Sequence, residues 1–154
     1  MSDAASSQLI DRYIAAYFCV SRAFLAEIRD AVQEELTPDQ FLTLRYIKSR
    51  EKCTATELAD VFLVGKSSIT AIITRLSERG FIRRIRDRSD RRLVYLTLSE
   101  RGREVFAQAE EKVREIVSAY LVHFEPLEVE TFIGTMEKLA SLMGGTNNDD
   151  AGNH

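Results

Sequence analysis

The chain has 154 residues, 45% of them apolar and 29% charged, enough apolar material for one domain with a core that needs no disulfide or metal staples. No apolar run approaches the roughly 20 residues that cross a bilayer, and the polar stretch from Met1 to Gln8 lacks the basic-then-apolar order of a secretory signal. The net charge of −3 would disfavour a polyanionic partner only if charge were spread evenly along the chain.

From Gln8 to Leu36, Ile10, Tyr13, Ile14, Tyr17, Phe18, Phe24, Leu25, Ile28 and Val32 recur at three- and four-residue steps. This predicts a long amphipathic helix stopped at Thr37-Pro38. Thr37 is a natural N-cap and Pro38 a natural first residue for the next helix, which uses Phe41, Leu42, Leu44, Tyr46 and Ile47 and ends in the polar stretch Ser49 to Thr54. Thr56 to Phe62 reads as a short third helix. After a break at Val64-Gly65, Ile69, Ile72, Ile73 and Leu76 give a fourth, running to Gly80, a suitable residue beyond a helix end.

The period then changes. Phe81 to Arg86 and Leu93 to Leu98 are rich in β-branched and aromatic residues and flank a polar sextet, Asp87 to Arg92. They predict an antiparallel hairpin with a basic tip. Helical spacing resumes from Ser99 to Phe124, and Pro126 opens a last helix through Val129, Phe132, Ile133, Met136, Leu139 and Met143. The remainder, 144–154, is small and polar and is expected to fray. The fold class is therefore mainly α with a small β-hairpin: helices three and four plus the hairpin make a winged helix-turn-helix, flanked by helices from both ends.

The charge is partitioned along this layout. Residues 66–92 hold nine basic and three acidic groups, a local net of +6; the rest holds twelve basic and twenty-one acidic, a net of −9. Eight of the nine cations are arginine, suited to bidentate phosphate and base-edge contacts. Local fields decide what docks on a face. With its apolar residues packed inward, the fourth helix is left with Ser67, Ser68, Thr70, Ala71, Thr74 and Arg75 outside. Short polar side chains allow close approach to base edges in the major groove, whereas a merely solvated face normally carries Lys and Glu. Arg88, Arg91 and Arg92 on the hairpin tip can reach a minor groove. Asp90 would repel phosphate, so its expected role is to accept from Arg92 and hold it extended. Arg83, Arg84 and Arg86 add phosphate contacts insofar as they face outward.

The stretch from Leu58 to Gly102 resembles the MarR family of bacterial transcriptional regulators. The resemblance rests on Leu58-Ala59, on Lys66-Ser67-Ser68-Ile69-Thr70, and on Arg75-Leu76 leading into Arg79-Gly80-Phe81-Ile82. Its most specific part is the wing Asp87-Arg88-Ser89-Asp90-Arg91-Arg92 followed by Leu96-Thr97-Leu98-Ser99-Glu100-Arg101-Gly102. Helix order and chain length extend it over residues 8 to 143. It implies a homodimer joined through the first and last two helices, a palindromic double-stranded operator, and a repressor answering to a small aromatic or lipophilic effector. It also implies that Arg92, held by Asp90, is the minor-groove arginine, and that Ser67, Ser68, Thr70 and Arg75 lie at the DNA. The chain departs from the family pattern where Arg88 replaces a usual Pro, Leu63 a turn Gly, Gly65 a Ser or Asp cap, Ala71 a frequent Arg and Thr74 a frequent Asp.

The division expected is 8–36 for an N-terminal dimerisation helix, 37–99 for the DNA-binding region and 100–143 for C-terminal dimerisation helices. The DNA-binding set is Lys66, Ser67, Ser68, Thr70, Ala71, Thr74, Arg75, Arg84, Arg86, Arg88, Asp90, Arg91 and Arg92. No catalytic constellation, phosphate loop, cofactor motif or metal ligand set is present. The histidines, His123 and His154, stand apart. Cys19 and Cys53 do not make a disulfide framework, and a reducing cytoplasm is the simplest compartment. Cys19 reads as a packed or merely adjacent thiol on the first helix rather than a sensor; Cys53, in a polar connection, is open to exposure but has only Lys52 beside it to activate it. A cysteine-based redox regulator is one alternative, and a winged helix that binds protein rather than DNA another. Glu110, Glu111 and Glu115 read as a solvated face; Tyr13, Tyr17, Phe18, Phe24 and Tyr120 could line a ligand pocket, but at helical spacing they read first as core aromatics.

Overall fold

A computed structural model describes residues 3–32, 35–62 and 64–144 of the chain. In order these form α1 (Asp3–Val32), α2 (Pro38–Arg50), α3 (Ala55–Phe62), α4 (Lys66–Glu78), β1 (Ile82–Arg86), β2 (Val94–Leu98), α5 (Glu100–Leu121) and α6 (Pro126–Leu142). Leu63, His154 and the rest of the tail beyond Gly144 lie outside the described residues. Among those described, no helix is long and apolar enough to cross a membrane.

Helix starts follow local chemistry. Thr37 and Gln40 form a reciprocal capping box, with Gln40 N–H donating to Thr37 Oγ1 at 3.2 Å and Thr37 N–H to Gln40 Oε1 at 3.1 Å, and Pro38 follows at the first helical position. Thr54 and Glu57 make the same exchange ahead of α3. The first helix differs from its expected span: it begins at Asp3 rather than Gln8 and stops at Val32, and Leu36 is buried outside it. Its early residues Ala4, Ala5 and Gln8 are acceptable helix formers, so a lack of apolar period did not end the helix there.

Leu44, Ile47, Leu58, Ile69, Leu76, Phe81 and Phe106 are fully or almost fully buried and form the centre of one cluster. Phe41 and Phe106 stack at 5.3 Å, joining α2 to α5. The hairpin is antiparallel, with Ile82 opposite Leu98, Arg84 opposite Leu96 and Arg86 opposite Val94. Leu96 also pairs with Cys53, which adds a one-residue third strand through bonds of 3.1 and 2.7 Å. Ser99 caps α5: its Oγ accepts from Gly102 N–H at 3.0 Å and its hydroxyl donates to Gly80 O at 2.5 Å. Gly102 lies so near Phe81 that a Cβ there would stand 1.9 Å from the Phe81 carbonyl oxygen.

Four expectations are corrected here. Cys53 is buried at 1% exposure, closed in by its pairing with Leu96. Cys19 is exposed rather than packed. Glu110 is not a solvated residue: at 19% side-chain exposure it meets Arg45, Lys48 and Arg114 at 3.6, 3.4 and 3.8 Å, tying α2 to α5. Tyr13, Tyr17, Phe18, Phe24 and Tyr120 are exposed in the single chain, not core. With Leu9, Ile10, Ile14 and Leu25 they leave most of α1 apolar and uncovered, and α6 buries no residue at all.

Candidate nucleic-acid interface

The apolar spacing of α4 decides which way it faces. Ile69, Ile73 and Leu76, at successive four- and three-residue steps, are buried, and Ile72 is half-buried. Lys66, Ser67, Ser68, Thr70, Ala71 and Arg75 are exposed, and Thr74 is half-buried. The surface so presented is made mostly of side chains no longer than threonine. Gly65 caps the helix with extended backbone and no side-chain bond, and its carbonyl accepts from Ser68 N–H at 3.1 Å and Ile69 N–H at 3.3 Å. Thr70 Oγ1 donates to Lys66 O at 2.7 Å; its proton is spent locally, and its lone pairs and methyl group remain outward. At the far end Gly80, at φ +74°, reverses the chain, and Phe81 N–H bonds Leu76 O at 2.9 Å. The turn thereby sets the hairpin directly after the helix.

Arg79, the last cap of α4, is committed elsewhere. Its guanidinium donates to the backbone carbonyl of Glu35, lies 3.5 Å from the Glu35 carboxylate, and covers the Phe81 ring at 4.6 Å. It binds the end of α4 to the α1–α2 junction.

The wing tip is built by two aspartates. Asp87 Oδ1 accepts from the N–H groups of Ser89 at 2.7 Å and Asp90 at 3.0 Å, an arrangement in which a short carboxylate closes the turn. These backbone donors, first Asp90 and then Ser89, hold the Asp87 carboxyl below the ordinary aspartate value. Asp90 Oδ1 in turn accepts from the backbone N–H of Arg92 at 3.0 Å and from its Nε at 3.2 Å. Arg92 remains 92% exposed, so its Nη groups point their donors into solvent from a fixed base. Arg88 and Arg91 are exposed beside it. Sequence reasoning named Asp90 as the orienting group but gave Asp87 no role; its spacing of two and three residues to Ser89 and Asp90 was the available signal.

All three strand arginines are exposed, but the pleat separates them. Arg84 and Arg86 share a sheet face with Ile82 and sit opposite Leu96 and Val94; Arg83 lies on the other face with Ile85, opposite Thr97. The wing's cation set is therefore Arg84, Arg86, Arg88, Arg91 and Arg92, with Arg83 behind it.

Cys53 cannot serve as a reactive thiol in this setting. Burial, reinforced by Glu57, pushes its thiol up to about 12 against a smaller opposing effect of Arg50, so it stays protonated at neutral pH. Among the described residues no cluster of three or more His, Cys, Asp or Glu could hold a metal ion.

The sequence pattern that defines the MarR family matches residues 36–94, the span from the α1–α2 junction to the start of β2. The chain is 31% identical to the uncharacterized HTH-type transcriptional regulator YpoP of Bacillus subtilis (strain 168), over 73% of this chain and 80% of that one. Among solved structures, the transcriptional regulator BldR from Sulfolobus solfataricus superposes with a TM-score of 0.71 at 29% identity, covering 92% of this chain and 99% of that one. BpsR of Bordetella bronchiseptica, whose DNA binding is regulated by 6-hydroxynicotinic acid, superposes with a TM-score of 0.69 at 19% identity, covering 87% and 91%.

Proposed function

This chain belongs to the MarR family and is a winged-helix, DNA-binding transcriptional regulator rather than an enzyme, and from that premise we propose that it works as a homodimeric repressor released from a palindromic operator by a small molecule. Segments 8–36 and 100–143 join the two copies and 37–99 binds DNA. The observation that carries the DNA reading is the doubly bonded pair Asp90–Arg92: an arginine anchored at its backbone and Nε, yet almost wholly exposed, is prepared to enter a narrow groove without paying to order itself. In this reading Arg88 and Arg91 flank Arg92 at the minor groove. Ser67, Ser68, Thr70, Ala71 and Thr74 meet major-groove edges, and Lys66, Arg75, Arg84 and Arg86 neutralise phosphates.

Dimerisation is supported by the uncovered apolar surface of α1 and α6. Leu9, Ile10, Ile14, Phe132, Ile133 and Met136 are all exposed in the single chain, large apolar side chains that a second copy would cover. A two-fold pair would set two copies of α4 about one DNA turn, roughly 34 Å, apart. Release by a small aromatic or lipophilic effector is supported by the likeness to BpsR, and the cytoplasm is the compartment in which operator and regulator would meet. The redox alternative loses Cys53, which is buried and protonated.

Light scattering combined with footprinting on genomic fragments tests the whole reading. It predicts a dimer in moderate salt and paired protections centred one helical turn apart. A monomer, or protection without two-fold symmetry, would overturn it.

A further inference from the structure

On the hairpin face that carries Arg83 and Ile85, away from Arg84 and Arg86, a cleft of about 390 Å³ opens between the end of α2, the strands and the start of α5. On this face its lining comes from Ile85 and Thr97, with Lys48, Lys52, Arg103 and Glu51 supplying charge, while Leu98 borders it with a side chain buried beside Ile82 on the other face. Three cations against one carboxylate leave the cleft with a local charge of +2. Its cations lie outside the stretch 66–92 where the chain's positive charge is concentrated.

The cations are not equivalent. Lys48 is engaged by Glu110 at 3.4 Å and lies 5.0 Å over the Phe106 ring, so it forms a fixed wall. Lys52 is placed by its Nζ lying 4.6 Å over the Tyr95 ring; neither it nor Arg103 has a carboxylate partner among the described residues. The backbone between the two lysines is unusual. Glu51 is the one residue other than glycine with positive φ among those described, at φ 63°. It is held there by its N–H to Lys48 O at 3.2 Å and by the Thr97 hydroxyl donating to its carbonyl at 2.9 Å. A strained residue braced by a second element, at the mouth of a basic cleft, is the kind of outlier that accompanies binding sites.

We propose that this cleft binds a small phosphate monoester, its dianion shared by Lys52 and Arg103 and its organic part lying against Ile85 and Thr97. Two uncommitted cations, one a planar fork, suit a doubly charged tetrahedral group better than a monocarboxylate. The volume of this open cleft falls within the roughly 300–1,000 Å³ of ordinary small-molecule sites.

Titration calorimetry on the full chain, in phosphate-free buffer at fixed ionic strength, tests this with phenyl phosphate, phenyl sulfate and benzoate. Phenyl phosphate should bind saturably at one site per chain, with the two monoanions about tenfold weaker or more, the worth of one charge-assisted bond. Lys52→Gln and Arg103→Gln should each weaken phenyl phosphate by about tenfold, Arg103→Lys should restore part of the loss, and Arg92→Ala should leave it unchanged. Both side chains are exposed, so the fold should persist in each variant by circular dichroism. No saturable binding at millimolar concentration, equal affinity for benzoate, or loss of the site in Arg92→Ala would overturn the proposal. So would weakened operator binding by the Lys52 and Arg103 variants in the absence of phosphate, which would assign these cations to DNA.

Discussion

One carboxylate oxygen, Asp90 Oδ1, receives two donors of Arg92, the backbone N–H at 3.0 Å and Nε–H at 3.2 Å. The acid therefore fixes both the chain direction and the side-chain root of a residue that is otherwise open to solvent. Arg92→Ala should weaken operator binding by about 1–3 kcal/mol, that is roughly 5- to 150-fold. Asp90→Asn retains an oxygen acceptor and should cost less than Asp90→Ala. Fluorescence anisotropy on a labelled operator measures all three, with melting curves to show that the fold is intact; equal affinity for Arg92→Ala and the parent would refute the wing assignment.

The pleat gives a sharper test than charge alone. If phosphate contacts supply affinity, the logarithm of the binding constant falls linearly with the logarithm of salt, by about 0.9 per neutralised phosphate. Arg84→Ala and Arg86→Ala should each reduce that slope by about one contact. Arg83→Ala, on the opposite sheet face, should leave it unchanged although it removes the same charge. A common slope change for all three would mean that only net charge matters.

Gly102 has no room for a side chain, since its would-be Cβ meets backbone and not a movable group. Gly102→Ala should destabilise the fold by about 1–3 kcal/mol or more, as overpacking does. Thermal unfolding would record this as a lowered midpoint. An unshifted midpoint would show that α5 can slide away from Phe81 at little cost.

Cys53 links stability to high pH. Its folded-state value is raised from 9.0 to about 12, so its contribution to stability is intact below 9.0 and declines as pH rises from there towards about 12. Cys53→Ser should flatten that part of the alkaline stability profile. At neutral pH a thiol reagent should titrate no more than one cysteine per native chain, and none in Cys19→Ser. A second reactive thiol in the native protein would contradict the burial.

The elements that sequence reasoning placed well are those governed by neighbours. Ile69, Ile73 and Leu76 orient α4 through helical spacing, and Asp90 lies two residues from the arginine it holds. The features it missed join residues far apart in the chain. Lys48 reaches Glu110 across 62 positions and Arg79 reaches Glu35 across 44, so a local pattern of charges read Glu110 as solvent-facing. Cys53 looked polar because of Lys52 and Thr54, yet its exposure is set by strand pairing with Leu96. Aromatics of α1 at helical spacing signalled burial but not whose surface covers them, since a single chain leaves them open.

The contact of Gly102 with Phe81, together with the bonds from Ser99 to Gly80 and Gly102, makes the wing root and the first turn of α5 one mechanical piece. A helix of 22 residues is about 33 Å long, and tilting such a rod by about 5° displaces one end by about 3 Å relative to the other. The hairpin is then the short arm of a lever whose long arm ends at Leu121, so a repositioning at that distant end would carry Arg92 with it while its bonds to Asp90 stay whole.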